Sequence, residues 1–287
     1  MTGERLPTYF ISHGGGPWPW LENFMGDWSG LEASLAAIPD ELGVTPKAIV
    51  CVSAHWETPE FAVQTNAKPS MLYDYGGFPP HTYEVQYPAP GSPSTAARVR
   101  ELLTDAGIAS TEDPMRGFDH GTFVPMHVSY PEADVPVFQL SLRADLDPAR
   151  HLAVGQALAP LRDENVLILA SGFPSFHDLS TFGPPGRVPS QQFDGWLHET
   201  LVGMVGEERN ARMLDWESAP AARIAHPREE HLIPMLIAVG AAEDEAGHVQ
   251  FHDPDFLGWM SNSSFRFGDL PSTSKGSWVA GTAPAAA

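Results

Sequence analysis

Cysteine is nearly absent from this sequence, since Cys51 is the only one in 287 residues. One thiol can form no intrachain disulfide and cannot supply the thiolate clusters of structural zinc or iron–sulfur sites. Such low cysteine usage is typical of proteins from reducing compartments. We therefore expect a cytoplasmic protein in which any metal is held by His, Asp or Glu.

Long apolar stretches and basic runs are also absent. No stretch approaches the roughly 20 apolar residues of a transmembrane helix, and residues 1–10 do not have the sustained apolar segment of a signal peptide. Asp and Glu total 36 against 16 Lys and Arg, which gives a formal net charge of −20. This charge opposes nonspecific binding to nucleic-acid phosphates or anionic lipid. We expect neither nucleic acid nor a membrane as a partner.

What is present is the composition of a folded globular protein, with 43% hydrophobic and 18% charged residues. Short apolar runs predict strands at 9–12, 48–53, 135–140 and 166–170, with shorter final strands at 249–251 and 264–267. Helix-opening signals occur at Asp27 and Ser29, at Ser92-Pro93 and at Asp147-Pro148, and helical patterns dominate 191–239. Strands that alternate with helices predict one three-layer α/β catalytic domain over residues 1–274, with helices on both faces of a central, mostly parallel or mixed sheet. Residues 275–287 are expected to form a flexible tail.

Several histidines follow these strands. His13 and His55 come directly after two buried strands, and His177 comes soon after a third. Because the carboxyl ends of parallel strands meet at one edge of a sheet, we expect the three imidazoles to share that edge. Such a rim meets the needs of a mononuclear zinc or ferrous site, although a single histidine is more often structural. His231 can reach the same rim from the Pro227–His231 segment, which predicts the first turn of a helix that Pro234 kinks or shortens.

The loop at His13-Gly14-Gly15-Gly16 has a second interpretation. A His-Gly-Gly-Gly loop also forms the oxyanion hole of lipase-like hydrolases, but no serine here has the G-x-S-x-G pattern that those enzymes require. The glycines then indicate close approach of backbone to a metal or substrate, or simply a tight turn.

An aromatic loop over residues 66–91 predicts a cover for the pocket. Tyr73, Tyr75 and Phe78 are candidates for stacking on a substrate ring, with ordinary loop packing as the alternative. Arg116, Arg143 and Arg187 are the basic residues nearest the rim in sequence, and we take Arg116 as the candidate for a substrate carboxylate.

Five motifs occur in order along the chain. They are Ile11-Ser12-His13-Gly14-Gly15-Gly16-Pro17, Ser53-Ala54-His55-Trp56, Tyr73-Asp74-Tyr75-Gly76-Gly77-Phe78-Pro79, Arg116-Gly117-Phe118-Asp119-His120-Gly121-Thr122-Phe123-Val124-Pro125 and His226-Pro227-Arg228-Glu229-Glu230-His231. From about residue 8 to 242 the series resembles the class III extradiol ring-cleavage dioxygenases, in the 4,5-DOPA dioxygenase-like branch of the LigB-type superfamily. In two places the chain departs from the common pattern, with His177-Asp178 in place of His-Asn and with the triple-glycine form of the first motif.

The resemblance implies a metal held by His13, His55 and His231. It implies His177 as the acid–base residue and His120 as a second active-site histidine near the substrate. Glu229 and Glu230 are the alternative ligands if His231 does not bind, because many ferrous sites use two histidines and one carboxylate.

The chemistry can also be argued from the substrate class. A catechol is a bidentate oxygen ligand, so a metal with three protein ligands can bind both hydroxyls and leave a position for O2. We expect Fe(II) for activity, whereas Zn(II), which fits the same imidazoles and is an alternative occupant on isolation, has no redox chemistry. The expected partners are a small aromatic diol and O2, with the oligomeric state open between monomer and small homo-oligomer. Two other hypotheses remain, a zinc-dependent hydrolase at the same histidines and a noncatalytic scaffold on the same fold.

Overall fold

The computed structural model describes residues 4–278, which contain one eight-stranded mixed sheet. The strands are β1 (Thr8–Ser12), β2 (Ala48–Thr58), β3 (Phe61–Gln64), β4 (Ser110–Asp113), β5 (Val137–Arg143), β6 (Val166–Gly172), β7 (Gly247–Phe256) and β8 (Met260–Phe267), in the spatial order β4-β3-β5-β2-β6-β1-β8-β7. The four central strands, β5, β2, β6 and β1, run parallel to one another. At one edge, β8 is antiparallel to both of its neighbours, β1 and β7. At the other edge, β3 is antiparallel to β5 but parallel to β4.

Helices cover both faces of this sheet, as the α/β prediction requires. They are α1 (Ser29–Ala36), α2 (Ile38–Leu42), α3 (Pro93–Asp105), α4 (His120–Ser129), α5 (Pro148–Leu158), α6 (Arg187–Leu201), α7 (Gly206–Leu214), α8 (Ala222–Ala225) and α9 (Pro234–Ala242). The Thr8 hydroxyl donates to the carbonyl of Ala238 in α9. Tyr9 points to the opposite face, where its hydroxyl donates to Glu41 of α2. None of the helices within residues 4–278 has the length and apolarity to cross a bilayer.

The six predicted strands are present with shifted ends, β3 and β4 were not predicted, and one wrong boundary bears on the site. β2 continues to Thr58, so His55 lies within this strand and does not follow it. The pairing of β2 with β5 is irregular between Val52 and Glu57. His55 lies within this irregular stretch, where the regular pairing with β5 is interrupted.

The helix predicted to begin at Pro227 was also wrong. Residues 226–233 form turns, and α9 begins at Pro234, which occupies the first helical position. A proline there costs no hydrogen bond because the first N–H groups of a helix have no intrahelical partner. Pro234 therefore starts the helix and does not kink it, and His231 lies on the turn in front.

The predicted tail at 275–287 lies partly outside the described residues, which end at 278. Within the described part, the Lys275 ammonium pairs with Asp40 at 2.7 Å, and the backbone N–H of Trp278 donates to Glu41 at 2.9 Å. These contacts join residues 275–278 to α2.

Candidate metal centre and active-site cavity

Neighbouring parallel strands bring the candidate histidines to one edge of the sheet. His13 follows β1 directly, and its backbone N–H donates to the Gly172 carbonyl at the end of β6 (3.0 Å). His55 lies in the last part of β2, beside β6. The loop after β6 carries His177, whose backbone N–H donates to the Ala225 carbonyl (2.7 Å). The shared rim expected from the strand ends is thus present.

His231 reaches this rim from the turn before α9. The backbone N–H of Phe173 donates to the His231 carbonyl at 3.1 Å. Gly172 lies so close to that carbonyl that a Cβ atom at this position would be 2.2 Å from the oxygen. A side chain at position 172 would displace the turn, so this close approach requires glycine.

Three imidazole nitrogens converge at the rim. The Nε2 atom of His55 is 3.2 Å from Nε2 of His13 and 3.2 Å from Nε2 of His231. Each of these two distances suits a pair of ligands on one ion at metal–nitrogen distances of about 2.0–2.1 Å. His120 is the rival third ligand, since donor atoms of His13, His55 and His120 also lie within 4.8 Å of one another.

The two remaining predicted histidines lie against this group. The His177 ring stacks on the His231 ring with centroids 3.4 Å apart, and the His120 ring is 3.9 Å from that of His55. All five histidines singled out from the motif series are therefore brought together at one place.

A hydroxyl sets the tautomer of His13. The Ser171 hydroxyl donates its proton to the Gly121 carbonyl, so its oxygen can only accept from Nδ1–H of His13, 3.0 Å away. With the proton on Nδ1, the lone pair of Nε2 faces His55 and His231. A neutral imidazole in this tautomer is a metal ligand.

Two carboxylates set the tautomers of the other four rings, and each carboxylate contacts two rings. Asp74 accepts from Nδ1 of His120 (2.9 Å) and lies 3.3 Å from Nδ1 of His55. Glu230 Oε1 lies 2.9 Å from Nδ1 of His231 and 3.2 Å from Nδ1 of His177. A carboxylate can only accept, so each Nδ1 carries the proton and each Nε2 is left for the cavity. Glu230 thus contacts the outer nitrogens of two rings, and so does Asp74, a residue that the sequence analysis did not single out.

Burial keeps the three converging imidazoles neutral. It lowers the pKa values of His13, His55 and His231 well below their usual range, and positive charge on the neighbouring rings lowers them further. Burial alone would raise the pKa of Asp74, but hydrogen bonds and charge from His120 lower it to about 2. Neutral rings beside ionised carboxylates are a donor set suited to a divalent transition metal.

The rim forms the floor of a cavity of about 370 Å³. Its apolar wall consists of Phe24, Met25, Trp28, Phe78, Phe173, Leu179 and Phe182. Tyr75 also lines the cavity, as does the glycine loop at Gly14 to Gly16. At Gly14, where φ is +80°, a Cβ atom would lie 2.4 Å from Trp18, so the loop needs glycine to lie this close to the wall.

Two of the residues predicted to contact substrate occupy other positions. The Tyr73 hydroxyl donates to the Val85 carbonyl (2.7 Å), and its ring packs 6.2 Å from that of Tyr75. The Arg116 guanidinium donates to Asp119 (2.7 Å) and to the His55 carbonyl (3.2 Å), and it lies over the Trp56 ring. Neither side chain is among those that line the cavity.

Comparisons with known proteins identify the family. Residues 22–257 match the family model described as the catalytic LigB subunit of aromatic ring-opening dioxygenase. The chain is 40% identical to a 4,5-DOPA dioxygenase extradiol of Beta vulgaris over 266 residues, which cover 91% of this chain and 96% of that protein. It is 38% identical to dioxygenase tasH of Hapsidospora irregularis, with 88% and 82% covered. The crystal structure of an uncharacterized protein from Escherichia coli K12 superposes with a TM-score of 0.71 at 31% identity, covering 92% of this chain and all of that one.

The family model matches most of the chain, and these relatives are 38% and 40% identical to it over most of their own length. This chain belongs to the LigB family and is an extradiol aromatic ring-opening dioxygenase.

Proposed function

We propose that this dioxygenase uses Fe(II) to open a catechol-type ring beside its hydroxyls, incorporating both atoms of O2. The observation that supports this most directly is that Nε2 of His55 lies 3.2 Å from Nε2 of His13 and 3.2 Å from Nε2 of His231, on the floor of a cavity large enough for an aromatic diol. Ferrous iron held there would supply a redox-active centre that takes both hydroxyl oxygens and O2, which zinc does not supply.

His13, His55 and His231 are the proposed ligands. Their Nδ1 atoms face Ser171, Asp74 and Glu230, which are fixed oxygen partners, and this arrangement orients the rings before any ion binds. His120 is the less suitable third ligand, because its ring lies beside His55 on the Asp74 side while His231 has its Nε2 directed at that of His55.

His177 is the proposed acid–base residue. Its Nδ1 lies 3.2 Å from Glu230, so its Nε2 is free to accept a catechol proton, and the carboxylate stabilises the imidazolium that results. The same nitrogen can return the proton later in the reaction. His120 is held by Asp74 in the same way, and its proposed role is to hydrogen-bond a substrate oxygen and stabilise developing charge.

Tyr75 and Phe78 are the proposed contacts for the substrate ring, since both line the cavity and their rings meet edge to face at 5.5 Å. We assign different positions to the two other residues named in the sequence analysis. Tyr73 supports Tyr75 from behind, and Arg116 holds the backbone of His55 through its carbonyl.

We also propose that residues 1–274 act as one catalytic domain and that the protein works in the cytoplasm. A single buried cysteine and a readily oxidised ferrous cofactor both suit a reducing compartment. The zinc hydrolase and the noncatalytic scaffold are the competing functions, and the family match favours neither.

The test compares one preparation of protein loaded with different metals. Metal is removed with a chelator, and Fe(II) or Zn(II) is added anaerobically before a catechol and O2. With Fe(II) we expect one O2 consumed for each ring opened, followed by oxygen electrode and by absorbance of the ring-opened product. With Zn(II) we expect none. Oxygen-independent turnover supported by Zn(II) would support the hydrolase, and the absence of bound metal would support the scaffold.

A further inference from the structure

We propose that this enzyme selects catechols whose ring substituent is uncharged and apolar, and that it discriminates against catechols whose substituent carries a carboxylate. The inference rests on the proposed function in one respect, because the metal fixes where the diol binds and therefore which way the substituent points.

Histidine and carboxylate side chains are confined to one end of the cavity. Those that line it are His13, His55, His120, His177, His231 and Asp74, and all belong to the floor. Tyr75 also lines the cavity, but its hydroxyl already donates to the Thr82 carbonyl (2.6 Å). A diol bound at the floor directs the rest of the molecule toward the wall, which consists of Phe24, Met25, Trp28, Phe78, Phe173, Leu179 and Phe182. A ring substituent would therefore be surrounded by aromatic and aliphatic side chains.

No lysine or arginine lines this cavity within the described part of the chain. The arginines nearest to the floor residues are already paired with carboxylates. Arg228 donates to Glu57 (2.7 Å) and to Glu230 (3.2 Å), and Arg116 donates to Asp119 (2.7 Å). Neither guanidinium is directed at the wall. A substrate carboxylate would find no positive partner there.

The floor makes a carboxylate still less favourable. Asp74 and Glu230 already place two carboxylates behind the histidines, where they contact Nδ1 of His120 (2.9 Å) and Nδ1 of His231 (2.9 Å). A carboxylate on the substituent would lose its hydration among apolar side chains, and the floor offers it further carboxylates and no positive side chain in exchange. An alkyl substituent loses no such hydration and removes apolar protein surface from water.

The mouth of the cavity has the same character. Leu179 is 71% exposed and Met25 is 48% exposed, although both line the cavity. An apolar substituent that reached the mouth would cover these side chains. This is the observation that favours an extended alkyl or aryl group over a small neutral one.

The first experiment measures binding separately from turnover, using catechols that differ mainly in charge. The series is 4-propylcatechol, 3-(3,4-dihydroxyphenyl)propanoate, dopamine and DOPA. Dissociation constants are measured by anaerobic calorimetry on Zn(II)-loaded protein, and kcat/KM by oxygen uptake on Fe(II)-loaded protein. We expect 4-propylcatechol to have a dissociation constant at least tenfold lower, and a kcat/KM at least tenfold higher, than the propanoate, with DOPA also binding more weakly than 4-propylcatechol.

The second experiment adds the missing charge. Leu179→Arg places a guanidinium at the mouth, and Leu179→Gln is the matched control without charge. We expect the ratio of propanoate to 4-propylcatechol affinity to rise at least fivefold in Leu179→Arg relative to Leu179→Gln. The comparison of ratios between two variants removes any general effect of losing the leucine.

The outcomes separate this inference from the proposed function. Equal or tighter binding of the propanoate by the parent protein, or an unchanged ratio in Leu179→Arg, would overturn the inference while ring opening stood. Tight binding of 4-propylcatechol without oxygen uptake would overturn the proposed iron chemistry while the selectivity stood. Binding of none of the four catechols would overturn both.

Discussion

The floor and the wall of the cavity are built on different principles. On the floor, each of the five rings has its outer nitrogen next to an oxygen, and two of those oxygen partners, Asp74 and Glu230, serve two rings each. On the wall, rings meet rings, as where Phe78 packs 5.6 Å from Phe24 and Phe182 packs 4.8 Å from Trp259. The floor is therefore ordered by directional hydrogen bonds, and the wall by non-directional packing.

This difference separates two properties of the enzyme. Hydrogen bonds fix ring tautomers and angles, so the floor determines whether a metal binds and whether protons move. Packing excludes water and fits shape, so the wall determines which diol binds. Substitutions on the floor should reduce kcat and metal content, and substitutions on the wall should mainly raise KM.

His55→Ala should have the largest effect, because the His55 nitrogen lies 3.2 Å from those of both other proposed ligands. We expect loss of stoichiometric metal, measured by elemental analysis, and a fall in kcat/KM of roughly 10³-fold or more. His252→Ala is the matched control, because His252 belongs to a separate group with Asp194 and His198 whose ligand atoms also lie within 4.8 Å of one another. Metal retained in His55→Ala and lost in His252→Ala would refute the assignment.

His226→Gln tests the support of the loop that carries parts of both floor and wall. The buried His226 ring donates from Nε2 to the Pro174 carbonyl (2.6 Å), and burial lowers its pKa to about 4. The unfolded chain therefore binds more protons between about pH 4 and 6.5, so stability should rise with pH across this window, by about 3 kcal/mol from this group. Glutamine keeps a donor and does not titrate, so the variant should lose that part of the slope.

Urea unfolding measured at several pH values provides the readout for His226→Gln. His151 offers a matched control, because burial also lowers its pKa to about 4 while its partners are Asp147 and Arg143, remote from the cavity lining. His226→Gln and the corresponding His151→Gln should both flatten the dependence of stability on pH, and only His226→Gln should also change kcat. A parent protein whose stability is flat between pH 4.5 and 6.5 would contradict the buried neutral state of both rings.

The sheet and its rim could be predicted from local sequence because buried parallel strands are continuous apolar runs. β1, β2 and β6 have that pattern, and the histidines near their carboxyl ends follow from it. β4 could not be predicted in this way, because Ser110–Asp113 is a short polar strand at the sheet edge. The extension of β2 through His55 was hidden by an irregularity in its pairing, which has no residue signature.

The partners of the histidines were harder to predict than the histidines themselves. Asp74 lies 46 positions before His120, and only the folding of the aromatic loop brings them within 2.9 Å. Glu230 is next to His231 in sequence, so its presence was evident, but which atom it faces depends on the turn in front of α9. Sequence also could not separate Tyr75, which lines the cavity, from Tyr73, which does not, because both belong to one irregular aromatic segment.

Glu230→Gln should affect the floor without removing a proposed ligand. An amide keeps the shape of the side chain but loses the negative charge that stabilises a protonated His177 and orients His231. We expect kcat to fall roughly 10²-fold and metal affinity to fall about 10-fold, with KM changed little. Glu229→Gln is the control, since the Glu229 carboxylate pairs with Arg223. Equal losses in both variants would indicate a general effect on the turn and would contradict a specific role for Glu230.

Phe78→Ala should have the smallest effect and should fall on the other side of the comparison. Phe78 belongs to the wall, and its ring lies 5.5 Å from that of Tyr75 and 5.6 Å from that of Phe24. Within the described residues, its side chain makes no hydrogen bond to a histidine of the floor. Removing the ring takes away a stacking surface worth about 1–1.5 kcal/mol, so KM for a catechol should rise about 10-fold while metal content stays at one equivalent. Phe78→Leu keeps the apolar volume without the ring and should lie between the parent and Phe78→Ala. If Phe78→Ala instead lost metal or kcat with KM unchanged, the wall would be helping to order the floor, and the separation of the two would fail at this residue.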